Sequence, residues 1–245
     1  VEVYKLLERV RQEKPLVHHI TNWVTIYDCA NIVKAFGASP IMAHAPEEAA
    51  QMTAISSALV LNIGTLTVEL VRSMLISALS ANKKGIPVVL DVCGAGASSL
   101  RDKKSMELLS KAHIDIIKGN YSEIARIAGE SVHTKGVEST AVKNDMAAIV
   151  KSLARKKRCT VAATGAVDLV SDGNTLYRVK NGDVLVSHVV GTGCMAASVN
   201  FRSESAERSA KRPSRHPLRS VLCTTINAHN QAGHGNASLR CARRR

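Results

Sequence analysis

The sequence predicts an α/β fold built around a mostly parallel sheet. Two observations carry that prediction. Apolar runs of strand length recur along the chain and end on Asn, Asp, Thr or Gly, as in ALVLNIG (58–64), VVLD (88–91) and CTVAATG (159–165). Between them lie longer stretches with helical spacing of apolar residues. The strands are apolar on both faces, as strands covered by helices on two sides must be.

The elements follow in order. Val3, Leu6, Leu7 and Val10 share one helical face, so residues 2–12 read as a helix. LVHHI (16–20), after Pro15, reads as a short strand. A helix over about 25–36 ends at Gly37, and Pro46 with Glu47 and Glu48 opens the next. The strand at 58–64 is followed by a helix over about 67–83, then Gly85-Ile86-Pro87 and the strand VVLD. HIDII (113–117) is the next strand, with a helix from Tyr121, another over 141–155 and the strand at 159–165. Between 167 and 190 short β-like runs are parted by Asp172-Gly173 and Asn181-Gly182, which predicts a hairpin or meander. GTGCMAAS (191–198) reads as a tight loop entering a small-residue helix.

With 245 residues, 45% of them hydrophobic, the chain can bury a sizeable core. No run approaches the roughly 18 to 20 consecutive apolar residues that cross a bilayer, and the charged, amphipathic start VEVYKLLERVRQEK does not read as a signal peptide. No membrane partner is expected. The six cysteines are scattered without a CxxC, which argues against a disulfide framework or a structural zinc and fits a reducing cytoplasm. The net charge of +13 raises nucleic acid as a partner, but residues 200–245 hold ten basic and two acidic residues, so most of the excess belongs to that segment. Aromatics are 3% of the chain, too few for the stacking platforms of many single-strand binders. No nucleic-acid partner is expected either.

Ligands of open α/β sheets bind at the carboxyl ends of strands, and the polar clusters of this chain fall there. They are Asn62–Thr65, Asp91 with Cys93–Ser98, Lys118–Glu123, and Thr164-Gly165. Asp91 and Glu123 are candidates for organising Mg²⁺ through water beside substrate phosphates, and Lys118 for meeting a phosphate. In Gly191-Thr192-Gly193-Cys194, two glycines let backbone N–H groups turn inwards at a helix start, a shape suited to charge on a transferring phosphoryl group. Neither glycine cluster is a Walker A or dinucleotide motif.

Together these stretches resemble the hydroxyethylthiazole kinase family of thiamine salvage, in the ribokinase-like superfamily. The matching pieces are PLVHHITNWVT, DCAN, GASPIMAHAPEEA, ALVLNIGTL, IPVVLD, GAGAS, IIKGNYSEI, ATGAVD and GTGCMAAS, in order from about residue 3 to 199. The resemblance implies a three-layer αβα sandwich. It implies ATP-dependent phosphorylation of the primary alcohol of 4-methyl-5-(2-hydroxyethyl)thiazole, with ATP and Mg²⁺, in a cytoplasmic homotrimer whose sites lie between subunits. It also implies roles: Met42, Gly191 and Asn22 for the thiazole; Lys118, Asn120, Thr164 and Gly165 for ATP; Asp91 and Glu123 for Mg²⁺; and Thr192, Gly193 and Cys194 at the reacting alcohol.

The chain departs from the family pattern in four ways. Val92 replaces a proline, Lys118 an arginine and Val190 a threonine, and the resemblance stops near Val199. The expected division is therefore a kinase domain over 1–199 and an atypical basic segment over 200–245, either a disordered tail or a frame-shifted replacement of C-terminal helices. Two other functional readings fit the same residues: an inactive or binding-only member, and a ribokinase-like kinase for another small alcohol.

Overall fold

The computed structural model describes residues 3–130, 145–180 and 188–200. The basic segment from 201 onward, the start of the expected 141–155 helix and the turn at Asn181-Gly182 lie outside the described residues. Within them the chain runs α1(Val3–Glu13), β1(Leu16–Ile20), α2(Ile26–Ala35), β2(Ser39–Ile41), α3(Pro46–Ile55), β3(Ala58–Asn62), α4(Val68–Lys84), β4(Val88–Asp91) and α5(Ser99–Lys111). It continues through β5(Ile116–Asn120), α6(Tyr121–Ala128), α7(Met146–Lys157), β6(Thr160–Thr164), β7(Asp168–Ser171), β8(Leu176–Val179) and α8(Thr192–Ser198).

One eight-stranded sheet has the order β2-β1-β3-β4-β5-β6-β7-β8. The first six strands pair in parallel, and β7 and β8 add an antiparallel hairpin at the edge, as the Asp172-Gly173 turn predicts. Alternation along each strand feeds two cores. Leu59, Leu61, Val88, Leu90 and Ile117 point into a large core shared with α3 to α7. Ala58, Val60, Val89 and Ile116 point to the other face, where Leu7, Val10, Val33, Phe36 and Val199 cover them. The result is a helix–sheet–helix sandwich. Each fully buried leucine contributes roughly 1.5–3 kcal/mol of transfer free energy, which is why both faces of these strands are apolar.

The structure adds two elements that periodicity does not reveal, β2 and α5, and moves one. The strand expected at 113–117 spans Ile116–Asn120, so Lys118, Gly119 and Asn120 are strand residues and do not follow the strand. Helix ends match local chemistry. Thr67 and Ser98 accept hydrogen bonds from the backbone N–H groups of Leu70 and Arg101, and Gly85 closes α4 in the left-handed conformation at φ 77°.

Candidate active site

Strand register brings the site together. Asp91 of β4 is in register with Asn62 of β3 on one side and Lys118 of β5 on the other, so three polar side chains stand abreast at the carboxyl edge of the sheet. A cavity of about 540 Å³ opens there, floored by Asp91, Cys93, Lys118, Asn120, Glu123 and Thr164. Asn22, Thr25 and Thr65 form one wall, and the segment from His188 to Cys194 forms the roof.

A continuous chain of side-chain hydrogen bonds crosses four strand ends. Asn22 takes the N–H and hydroxyl of Thr25 on its Oδ1, both at 3.1 Å. Its Nδ2 donates to Asn62 Oδ1 at 3.0 Å and to Cys194 Sγ at 3.2 Å. Asn62 Oδ1 also accepts from the Gly64 N–H at 2.8 Å, and its Nδ2 donates to Asp91 Oδ2 at 2.9 Å. Lys118 Nζ donates to the same Asp91 oxygen at 3.2 Å. The other oxygen, Asp91 Oδ1, is buried without a hydrogen-bond partner. An orphaned carboxylate oxygen beside a cavity is costly unless something binds it, so the residues fit a hydrated Mg²⁺. Glu123 is more committed: Oε1 takes the Gly94 N–H and Oε2 the Asn120 N–H, each at 2.6 Å. Asn120 caps α6 in return through its Oδ1, a reciprocal capping box. A second lone pair on each Glu123 oxygen remains for water or metal.

Two glycines fix the roof. Gly191 has φ +86°, and a Cβ there would lie 2.3 Å from Thr25 Cγ2. A Cβ on Gly193 would lie 3.0 Å from Lys118 Nζ, so the loop comes down onto the lysine. Arg101 fixes the floor. Its guanidinium donates to the carbonyls of Ile63 (2.8 Å), Cys93 (3.0 Å) and Gly64 (2.7 Å), tying the turns after β3 and β4 together.

The electrostatics separate the two thiols of the site. A hydrogen bond from Cys93 lowers Cys194 to about 5, against the effect of its burial and with help from the Lys118 ammonium. Cys93 is raised in turn, first by that bond and then by burial. Burial pushes Asp91 up to about 8 despite the pull of Lys118. It likewise raises Glu123 against Lys118 and the two backbone donors. Lys118 loses stability as a cation through burial, yet Asp91 and Glu123 hold it above the usual lysine range. The lysine is therefore charged and the floor carries one fixed cation for phosphate oxygens.

Of the residues singled out in the sequence, Asn22, Asp91, Lys118, Asn120, Glu123, Thr164, Gly191, Thr192, Gly193 and Cys194 all line the cavity. Met42 and Gly165 do not. Met42 follows β2, near His44 and Trp23, whose rings meet edge to face at 4.6 Å. The Gly165 N–H is taken by Asp168 Oδ1 at 3.0 Å, and the residue packs on the Tyr121 ring. Asn62 and Arg101 carry more of the site than their residue types suggest. The signal for Asn62 was its place at a strand end, and for Arg101 the Ser98 cap that starts α5.

The model of the hydroxyethylthiazole kinase family matches residues 7–242. Hydroxyethylthiazole kinase of Methanosarcina acetivorans is 59% identical over 193 residues, 79% of this chain and 74% of that protein. The solved structure of the hydroxyethylthiazole kinase protein from Pyrococcus horikoshii OT3 is similar at a TM-score of 0.73 and 36% identity, covering 91% of this chain and 92% of that one. Pyridoxal kinase from Staphylococcus aureus shares the fold alone, at a TM-score of 0.57 and 14% identity over 87% of this chain and 86% of that one.

Proposed function

The chain belongs to the hydroxyethylthiazole kinase family, and from that premise we propose how its site carries out the reaction. The protein is a kinase of ribokinase-like fold that uses ATP to phosphorylate the primary alcohol of 4-methyl-5-(2-hydroxyethyl)thiazole in thiamine salvage.

The observation that carries the residue assignment is the meeting of Cys194, Lys118 and Asp91 around one cavity. The alcohol lies against Cys194, whose sulfur is held by the Asn22 amide and is a thiolate at neutral pH. That sulfur takes the alcohol proton as the oxygen attacks the terminal phosphorus. A thiol lowered to about 5 is a weak base, so most of the acceleration comes from positioning and charge. Lys118 draws phosphate oxygens to the floor, and the backbone N–H groups of Thr192, Gly193 and Cys194, at a helix start without intrahelical partners, face the developing charge. Asn120 and Thr164 flank the nucleotide phosphates, with Gly165 behind them. Asp91 and Glu123 would hold Mg²⁺, partly through water; when bound it neutralises charge on the phosphate oxygens. Asn22 and Gly191 bound the thiazole end.

Met42 joins this pocket in our reading through assembly. Sites shared between the subunits of a homotrimer account for an apolar rim of Trp23, Val24, Tyr27 and Val190, which are 51%, 66%, 75% and 72% exposed. Among the described residues no helix is long and apolar enough to cross a membrane, and we assign the enzyme to the cytoplasm. Composition alone supports dividing the chain into a kinase domain over 1–199 and a basic segment over 200–245.

The test is a phosphoryl-transfer assay with ATP, Mg²⁺ and the thiazole alcohol. Thiazole phosphate and ADP are expected in equal amounts, and folded protein that makes neither would defeat the reading. Cys194→Ser should lower kcat at least 100-fold while the KM for ATP changes little, because the sulfur meets the alcohol and not the nucleotide. A variant with wild-type kcat would remove Cys194 from the reaction.

A further inference from the structure

We propose that Cys93 and Cys194 are an oxidative modification site, at which a hydroperoxide converts the two facing thiols of the active site into one disulfide. Phosphoryl transfer uses the Cys194 sulfur directly and Cys93 only through its effect on that sulfur. The two sulfurs act on each other at the cavity that both line: Cys93 is the foremost influence on Cys194, and Cys194 on Cys93. Cys93 lies in the turn after β4 and Cys194 in the first turn of α8, a helix that packs against the ends of β3 and β4. Both backbones are held where they are. Arg101 binds the Cys93 carbonyl at 3.0 Å, and Gly191, seated against Thr25, fixes the loop that carries Cys194. Both thiols are free, only partly buried, and open onto the same 540 Å³ cavity. A small peroxide can enter that space. The other free thiols among the described residues, Cys29 and Cys159, are buried and do not line it.

The chemistry balances in two steps. The Cys194 thiolate attacks one peroxide oxygen, the O–O bond breaks, and the departing oxygen takes its proton from water, giving a sulfenic acid at Cys194. Cys93 Sγ then attacks the Cys194 sulfur, the S–S bond forms, and the S–O bond breaks with release of water that carries the Cys93 proton. Two thiols have lost two electrons to one peroxide. A dithiol reverses the change by exchange. The disulfide removes the sulfur that faces the alcohol, so catalysis stops while it persists.

The cross-link itself is independent of the kinase reading, and only its inhibitory effect rests on that reading. The test treats the purified protein with hydrogen peroxide and maps thiols by mass spectrometry without reduction, alongside the phosphoryl-transfer assay. The expected result is the loss of two hydrogens, a peptide pair joining Cys93 to Cys194, and activity that falls with the cross-linked fraction and returns with dithiothreitol. In Cys93→Ala the same treatment should carry Cys194 on to sulfinic acid, which dithiothreitol does not reverse. Wild-type protein that keeps both thiols free, or joins Cys194 to Cys29 instead, overturns the proposal without any variant. A cross-link in protein that lacks kinase activity would sink the proposed function and leave this site standing.

Discussion

The amide of Asn62 has both ends committed, its oxygen to Asn22 and Gly64 and its nitrogen to Asp91. It therefore couples the residue that holds the Cys194 sulfur to the carboxylate proposed for Mg²⁺. Asn62→Leu keeps the volume and removes every one of those bonds, leaving Asn22 and Asp91 with unmet groups at roughly 1–3 kcal/mol each. Expected are a lower Tm, a kcat reduced tenfold or more, and a rise in the midpoint of Cys194 alkylation by iodoacetamide from about 5, since Asn62 is among the donors that lower it. An unchanged alkylation profile and kcat would reduce Asn62 to a packing residue. The sequence already suggested Asp91, Lys118 and Glu123, because charged groups at apolar strand ends need a reason. It could not single out Asn62, since an amide at a strand end is ordinary until the register sets it between Asn22 and Asp91.

Among the elements, α8 is held most narrowly. Its start needs φ +86° at Gly191 and leaves no room for a Cβ beside Thr25. Gly191→Ala should lower kcat by two orders of magnitude or more with the far-ultraviolet dichroism unchanged, since the loop moves and the sheet does not. Thr25→Ser removes the obstructing methyl, so the double variant should recover part of that loss and retain the part due to backbone strain. No recovery would mean that the Thr25 contact does not set the loop. Most elements were legible from apolar period and end signals. β2 was not, because Ser39–Ile41 is three residues long, contains Pro40 and lies at a sheet edge, where a missing N–H is tolerated. α5 was hidden by its composition: SLRDKKSMELLSK buries only Ser105, Leu108 and Leu109. The shift of β5 came from Lys118, a charge that reads as a strand end but is buried inside one.

For the whole molecule, acid sensitivity follows from β1. His19 is fully buried, and burial lowers it to about 4 from an ordinary 6.5, while His18 beside it is lowered for the same reason. Between those two values the unfolded chain binds a proton that native His19 refuses. The contribution of His19 to stability is therefore complete above about pH 6.5 and falls as the pH drops toward 4, by on the order of 1 kcal/mol per unit. Urea unfolding of the wild type and of His19→Gln at pH 7, 6 and 5 isolates this, and equal slopes in the two proteins would show that His19 is hydrated or ionised in the native state. The strand order has a different consequence, for synthesis. β2 docks on one edge of β1 and β3 on the other, and from β4 to β8 each strand lies beside its predecessor in the chain, so a nascent polypeptide leaving the ribosome can add them one at a time, each docking on an edge already laid down. Cys194 emerges after every strand of that sheet, so a ribosome-bound chain can hold a finished sheet while still lacking its reactive sulfur.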